Sequence, residues 1–428
     1  EVTSPTNASS VTYDETPPTL SNFILKSDNS PNTRANVGDV VTLTFTANEP
    51  ISQPTVSVVF TTNGSNAVQN AGAITYQNPN GNTWTASYTV HGSDTDGLVR
   101  YSINYTNLAG IAGALVSTDG GVTSDNTGPT LSSSIASNNA ACCTSYAEPG
   151  DLVIITMAAN ENIAQPVVSF ESGGHAITNA STISYSGSGQ SWTAQYTAHA
   201  SDTEGPITYS ISYVDTAGNL GTAVTSGSGS VSFDTTLPTL GTVSIASNNS
   251  PSPTTLATTD DFVILTFTAT EIIEEPTVVF LSGGSSIQNS GSITYTNVSG
   301  GTNWTAKYVP HTSDTEGDVT FTIDFNDRAG NDGNQVTART TGPSVSVDRT
   351  IPTLNITSII SNNTTNTLAK NSDFITLTFV TNEEIHSPVV TFQSGGVTVV
   401  SQRVSYTNLS GNKRNWTAKY TGDSSDGD

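Results

Sequence analysis

Cysteine, methionine and basic residues are scarce in this chain of 428 residues, which has 2 Cys, 1 Met and 12 Lys and Arg against 36 Asp and Glu. The formal net charge of −24 argues against nucleic acids and anionic membranes as partners, because both would repel the chain. Long apolar runs are also missing, since no stretch approaches the roughly 18 apolar residues of a membrane span. Ser, Thr, Asn and Gly dominate instead. This composition favours a solvated extracellular protein whose natural counterparts are cations.

Helical periodicity is absent as well, and apolar residues alternate with period two. The alternation is clearest in VILTFTAT at residues 263–270, NWTAKYV at 303–309 and VTFTIDF at 319–325. β-branched and aromatic residues fill these runs, and clusters of Gly, Asn, Asp and Pro separate them. The pattern predicts an all-β fold.

A ten-residue motif occurs in four similar copies, as VTYDETPPTL from Val11, VTSDNTGPTL from Val122, VSFDTTLPTL from Val231 and VSVDRTIPTL from Val345. Its Asp falls at positions 14, 125, 234 and 348, which are spaced by 111, 109 and 114 residues. Such a period indicates tandem repeats, each large enough to bury its own core. The predicted division is unit one (14–124), unit two (125–233), unit three (234–347) and an incomplete unit four (348–428), preceded at residues 1–13 by the closing strand of another repeat.

Unit three shows the strand pattern of a repeat most clearly. It predicts strands A to G at residues 240–247, 262–270, 277–281, 292–296, 304–309, 319–326 and 335–347, with a break of the last strand at Pro343 as an alternative. An SGG turn follows strand C at residues 282–284. Seven strands in one repeat are typical of an immunoglobulin-like sandwich. The predicted fold class is therefore an all-β, tandem array of seven-stranded immunoglobulin-like β-sandwiches.

Strand E carries the same Trp-x-Ala-x-Tyr motif in every unit, beginning at Trp84, Trp192, Trp304 and Trp416. Because alternate residues of a strand share one face, the three side chains of each motif point the same way. This predicts that each Trp belongs to the core of its sandwich. Stacking of the indole rings on carbohydrate is the alternative interpretation.

Several recurring motifs point to a family. They are the hinge Asp-x-Thr-x-Pro, the loops VDTAGN (214–219) and NDRAGN (326–331), and the loops SDTEG (201–205 and 313–317). Together they resemble the tandem bacterial immunoglobulin-like domains of large repetitive extracellular surface adhesins, with cadherin repeats as a more distant analogy. The resemblance covers essentially the whole chain. It implies a long extracellular stalk, of a kind often stiffened by calcium at domain junctions.

Strand direction makes the calcium hypothesis specific. The E–F loop and the end of strand G lie at the bottom of a unit, and the B–C and F–G loops lie at the top of the next unit, so acidic residues distant in sequence should converge at each junction. The expected sets are Asp94, Asp96, Asp125, Glu161 and Asp215 between units one and two; Asp202, Glu204, Asp234, Glu271 and Asp327 between units two and three; and Asp314, Glu316, Asp348 and Glu383 between units three and four. Calcium takes six to eight oxygen ligands, and without a cation these carboxylates would repel one another.

Other interpretations of these residues stay open at this point. Loop carboxylates are often only solvated, and the Asp of the DxAGN loop could stabilise a turn by accepting backbone N–H bonds. Unit one has Asn107 in place of that acid, and unit four ends before its F–G loop. His91, His199 and His311 recur in the E–F loop, where either a metal ligand or a structural hydrogen bond is conceivable.

The two cysteines, Cys142 and Cys143, are adjacent and occur in unit two only. Adjacent cysteines can pair only through an eight-membered ring, so free thiols, that ring, or bonds to another chain are the alternatives. Whichever is correct, the pair is not part of the stabilisation that all units share.

No Ser-His-Asp order, phosphate loop or apolar pair of carboxylates can be identified, so catalysis is not expected. The main hypothesis is an extracellular structural array, a stalk or filament segment of a cell-surface appendage or adhesin. The alternative is a module that binds glycans or a protein receptor through its loops. Nearly constant unit lengths favour the first. The expected partners are other copies of the chain or further repeats in a fibrous assembly, and cell-surface glycans or proteins under the alternative.

Both ends of the sequence are out of phase with the repeat. Residues 1–13 match the end of a strand G, and unit four stops before its strands F and G. This leads to the expectation that the natural polypeptide continues in both directions, with strand exchange between chains as the alternative.

Overall fold

The computed structural model describes residues 11–52, 57–62, 66–69, 73–178, 180–249, 254–288 and 290–427. Within these residues the chain is a tandem array of immunoglobulin-like β-sandwiches. Residues 1–10 of the closing strand that we expected at 1–13 lie outside the described part. No helix among the described residues is long and apolar enough to span a lipid bilayer.

Unit one illustrates the sandwich. Its described strands are β1 (Leu20–Ser27), β2 (Arg34–Ala35), β3 (Val40–Ala47), β4 (Ser57–Thr62), β5 (Asn66–Ala67), β6 (Thr75–Gln77), β7 (Thr83–Thr89), β8 (Gly97–Asn104) and β9 (Val116–Ser124). One sheet has the order β1-β3-β7-β6 and the other β2-β9-β8-β4-β5. With β1, β3, β4, β6, β7, β8 and β9 as strands A to G, this is the ABED sheet packed on the GFC sheet of immunoglobulin domains. The short strands β2 and β5 were not predicted; β2 pairs in parallel with β9.

Units two and three repeat this order. Unit two has β10 (Leu131–Ser137), β11 (Tyr146–Ala147), β12 (Leu152–Ala159), β13 (Val167–Ser172), β14 (His175–Ala176), β15 (Ser184–Ser188), β16 (Ser191–Thr197), β17 (Gly205–Ser212) and β18 (Ser232–Phe233), with a 3-10 turn at Ala180–Thr182. Unit three has β19 (Leu240–Ser247), β20 (Leu256–Ala257), β21 (Val263–Ala269), β22 (Thr277–Ser282), β23 (Ser285–Ser286), β24 (Thr294–Asn297), β25 (Asn303–Tyr308), β26 (Gly317–Asp324) and β27 (Ser346–Val347), with a 3-10 turn at Ser290–Ser292.

The prediction for the last strand of unit three is wrong over most of its length. Of the predicted residues 335–347, only Ser346–Val347 form a strand, and Val336 makes an isolated bridge to Ile323. Between these points the chain crosses to the opposite sheet, where the Thr340 N–H donates to the Val243 carbonyl at 2.8 Å. Pro343 has no N–H to give to a ladder, which favours this departure.

Unit four contains β28 (Leu354–Ser361), β29 (Phe374–Thr381), β30 (Gln393–Ser394), β31 (Val397–Thr398), β32 (Val404–Asn408) and β33 (Asn415–Thr421), with a 3-10 turn at Ser401–Arg403. Its ABED sheet is present as β28-β29-β33-β32, and its described second sheet is the β30-β31 pair. Ile359 on β28 is 59% exposed, whereas its counterpart Ile245 in unit three is 3% exposed. The described residues of unit four include no F and G strands against this face of the sheet.

Each sandwich has its own core, in which the strand E motif takes part. Trp84, Trp304 and Trp416 are buried, and Trp192 packs partly buried against the core of unit two. The Tyr of the motif packs at a tilt against a Phe of strand C, as in the Phe280–Tyr308 pair, whose ring centroids are 4.8 Å apart. The prediction that these indoles belong to the cores is confirmed. They are therefore not exposed platforms for stacking sugars.

Candidate metal centres between the units

Three carboxylates, one from the hinge and two from loops of unit two, meet between units one and two. Asp125 follows the last strand of unit one, and Glu161 and Asp215 lie in the B–C and F–G loops of unit two. One oxygen from each lies within 4.8 Å of the others. The junction between units two and three repeats this arrangement with Asp234, Glu271 and Asp327. In both junctions strand direction brings together residues that are between 36 and 93 positions apart in sequence.

The F–G loop fixes one acid of each group. Oδ1 of Asp215 accepts hydrogen bonds from the backbone N–H groups of residues 217, 218 and 219, at 2.6 to 2.9 Å. Its Oδ2 accepts from the Asn219 amide at 2.8 Å, and that amide also donates to the Asp125 carbonyl at 2.8 Å. Asp327 and Asn331 repeat the pattern. The buried aspartate therefore stabilises its turn and also faces the hinge of the preceding unit.

Unit one shows what an amide does in the same place. Asn107 Oδ1 accepts the N–H groups of Ala109 and Ile111, at 3.1 and 2.9 Å, so the turn is kept without a charge. Its Nδ2 donates to the Asp14 carboxylate at 2.8 Å. A hydrogen bond here joins the loop to the hinge aspartate, where the later junctions place two carboxylates together.

In each group, burial and nearby carboxylates raise the pKa of the hinge aspartate and of the B–C loop glutamate. For Asp125, burial is the main cause of a raised pKa, and the charges of Asp215 and Asp96 add to it, while the Thr127 N–H bond and Arg34 oppose it. Burial and the neighbouring acids likewise raise the pKa values of Glu161, Asp234 and Glu271. Both groups therefore concentrate negative charge that a cation would neutralise.

The acid of the E–F loop holds the hinge backbone. Oε1 of Glu204 accepts the Thr235 N–H at 2.8 Å, the Thr235 hydroxyl and the Thr236 hydroxyl at 2.9 Å. These hydrogen bonds, of which that from the Thr235 hydroxyl has the largest effect, lower the pKa of Glu204. Asp96 accepts the Asn126 N–H at 2.7 Å, and Glu316 accepts the Arg349 N–H at 2.9 Å. These three acids fasten each hinge to the unit that precedes it.

Three of the predicted ligands lie inside their loops instead. Asp94, Asp202 and Asp314 are buried, and each accepts two backbone N–H groups. For Asp202 the donors are His199 at 2.9 Å and Thr178 at 2.7 Å. The recurring histidines have a related role, since Nδ1 of His199 accepts the Ser201 N–H at 3.1 Å. These side chains shape the E–F loop and do not belong to the three-carboxylate groups.

The junction between units three and four is different. Within the described residues it contains no group of three carboxylates with oxygens as close as those above. The pKa of Glu383 is raised by burial and by Asp348 and Glu316, and Arg414 opposes the shift. Arg349 follows the hinge aspartate, and its guanidinium donates to the Thr312 and Asp314 carbonyls of the E–F loop. This junction thus has fewer acids and more basic groups.

Sequence reasoning missed a second contact between units. Asn29, in the A–B loop of unit one, donates from Nδ2 to Asp39 at 2.6 Å and to the Ala217 carbonyl of unit two at 2.7 Å. Asn139 does the same with Asp151 and with the Ala329 carbonyl of unit three. We call each of these contacts an asparagine brace. Its signal was present in the repeated Ser-x-Asn triplets at residues 27–29, 137–139, 247–249 and 361–363.

Glycine permits the brace to form. Gly330 has a φ of +106°, and a Cβ there would lie 2.8 Å from Glu148 Oε1 and 3.3 Å from the Ala141 Cβ of the preceding unit. In unit one, which has no described unit before it, a Cβ at Gly110 would meet nothing within 4 Å. The turn glycine of the DxAGN loop therefore serves both the backbone conformation and the close approach of two units.

Comparison with known proteins finds only distant structural similarities. No protein-family model and no curated protein matches the chain. Among solved structures, an I-band fragment of titin is 12% identical with a TM-score of 0.32, and the match covers 78% of this chain and 99% of that one. A marsupial T cell receptor is 13% identical with a TM-score of 0.31, over 76% and 100%. Both TM-scores are below 0.5, so our assignment of the fold rests on strand order.

Proposed function

We propose that this protein is a non-catalytic extracellular structural array, a stalk or filament segment of a cell-surface appendage or adhesin, whose junctions are stiffened by calcium. The observation that carries the proposal is the pair of three-carboxylate groups, each assembled from a hinge aspartate, whose N–H donates to the preceding sandwich, and from two loops of the following sandwich. Other copies of the chain, or further repeats, would be its partners in a fibrous assembly.

The chemistry of the groups suits a hard divalent cation. Every candidate ligand atom is a carboxylate oxygen, and calcium prefers several such oxygens with a flexible geometry. A cation bound by Glu271 and Asp327 of unit three and by the hinge Asp234, whose N–H donates to the Ala147 carbonyl of unit two, would remove their repulsion and join the two units. Because both sandwiches have complete cores of their own, the effect of binding falls on the angle between units and not on their folding.

Removing calcium should make the array flexible while each sandwich stays folded. We expect small-angle scattering to show a smaller average maximum dimension in a calcium chelator than in calcium. Protease cleavage near Asp125 and Asp234 should increase at the same time. Far-UV circular dichroism is the control for intact sandwiches. An unchanged maximum dimension, with calcium removal verified by elemental analysis, would contradict the proposal.

The junctions should fill in a definite order as calcium is added. Among the described residues, no Arg or Lys forms an ion pair with the three carboxylates between units two and three, where Arg328 pairs with Glu274 instead. By contrast, Arg34 lies 3.8 Å from Asp125 in the group between units one and two. Arg349 and Arg414 lie at the third junction. We therefore expect protection from proteolysis to appear first near Asp234, next near Asp125, and last near Asp348. Simultaneous protection at all three would show that the local charge balance does not set affinity.

A further inference from the structure

The two cysteines form a disulfide with each other in the A–B loop of unit two. This loop runs from the end of β10 to the start of β11. Cys142 is exposed and Cys143 is partly buried, so the disulfide can be reached by a thiol in solvent. The base of the loop is closed by a bond from the Ser137 N–H to the Thr144 carbonyl at 2.8 Å.

The same loop holds unit three. Asn139 Oδ1 accepts the N–H of Ala141, the residue before the disulfide, at 2.9 Å. Asn139 Nδ2 donates to the Ala329 carbonyl of unit three, and Ala141 lies against Gly330 of the same turn. Ala141 and Asn139 therefore connect the disulfide to the F–G turn of unit three.

The described brace between units one and two has the same geometry without a disulfide. Its loop carries Pro31 two residues after Asn29, and proline fixes its own φ permanently. In unit two, residues 140–143 are Ala-Ala-Cys-Cys, and the covalent ring supplies the restriction instead. A disulfide ring, unlike a proline ring, can be opened and closed by thiol exchange.

We propose that the Cys142–Cys143 disulfide is a redox-controlled stiffener of the junction between units two and three. When it is closed, the loop holds Asn139 and Ala141 against the unit three turn. When it is open, the loop gains conformational freedom and the brace is made for a smaller fraction of the time. This inference rests on the structural role proposed above but does not require calcium.

The reaction needs a dithiol as reductant. One thiolate of the dithiol attacks a sulfur of the pair and forms a mixed disulfide, and the other cysteine leaves as a thiolate and takes up a proton. The second thiol of the reagent then displaces the remaining cysteine. Two electrons and two protons pass to the protein, and the reagent leaves as a cyclic disulfide.

Hydrogen exchange on the full chain, read by mass spectrometry, tests the proposal. The probe is dithiothreitol, and the two peptides compared are residues 326–333 of unit three and the matched residues 214–221 of unit two. We expect reduction to speed exchange in 326–333 at least threefold and to leave 214–221 unchanged. The experiment is run in calcium and in chelator, so a failed calcium proposal would leave this result unaffected.

Two variants complete the test. The double variant Cys142→Ser with Cys143→Ser should exchange like the reduced protein in the absence of reductant and should not respond to it. In Asn139→Ala, which lacks the brace, the redox state should change exchange in 326–333 less than in the unmodified chain. Equal exchange in both redox states, with two free thiols confirmed by alkylation, would overturn the proposal. The proposal would also be overturned if dithiothreitol sped exchange in the double serine variant as much as in the unmodified chain.

Discussion

Replacing Trp304 with alanine is expected to lower the free energy of unfolding of unit three by about 3–5 kcal/mol, the range for removing a large aromatic from a core. The indole is 7% exposed and its Nε1 donates to the Gly301 carbonyl at 3.1 Å. It also lies opposite Phe267 in the strand pairing. Its loss removes buried apolar contact and leaves a cavity that the surrounding sheet cannot fill.

Hydrogen exchange resolved by unit is the measurement. Amides of β21 and β25 should exchange on the order of 100-fold faster or more, because each 1.4 kcal/mol is a factor of ten. The matched variant is Trp192→Ala, whose side chain is already partly exposed in the folded state, so its effect in unit two should be smaller. Loss of protection in all units at once would show that the sandwiches do not fold independently.

Replacing Asp327 with asparagine is expected to lower calcium affinity at the junction between units two and three by about tenfold or more, since affinity follows the number of charged ligands. The turn should survive, because Asn107 keeps the equivalent turn of unit one through its amide oxygen. The Asn331 amide also keeps its bond to the Asp234 carbonyl, at 3.2 Å.

Calcium titration by calorimetry, with proteolysis near Asp234, tests this. Asp324→Asn is the control, since it removes the same charge from an exposed position of the same unit. We expect it to bind calcium like the unmodified chain. The Asp327→Asn junction should need about tenfold more calcium, or more, for the same protection from proteolysis, while the junction between units one and two keeps its response. Equal affinity in the two variants would exclude Asp327 as a ligand.

Much of the fold could be predicted because its signals are local and repeated four times. Alternating runs predicted β19 with its observed ends, and the repeated hinge placed an acid at every junction. The different structural roles of the individual acidic residues could not be predicted from the sequence. Asp202 and Glu204 are two residues apart, yet one is buried on backbone donors within its loop and the other holds the hinge. Alternation of direction along the chain separates them, and a sequence does not show which N–H groups each carboxylate meets.

The sequence by itself determined the array: its period, its β-sandwich units, and the concentration of carboxylates where one unit follows another. These follow from periodicity and strand direction, which depend only on neighbouring residues and on the order of strands. The tertiary structure decided which acids face one another, where the last strand of unit three leaves its sheet, and that Asn139 and the adjacent cysteines lie at a junction. Those features depend on contacts between residues as far apart as Asn139 and Ala329, 190 positions in sequence. Such contacts are set by the packing of whole sandwiches, and no local pattern specifies them.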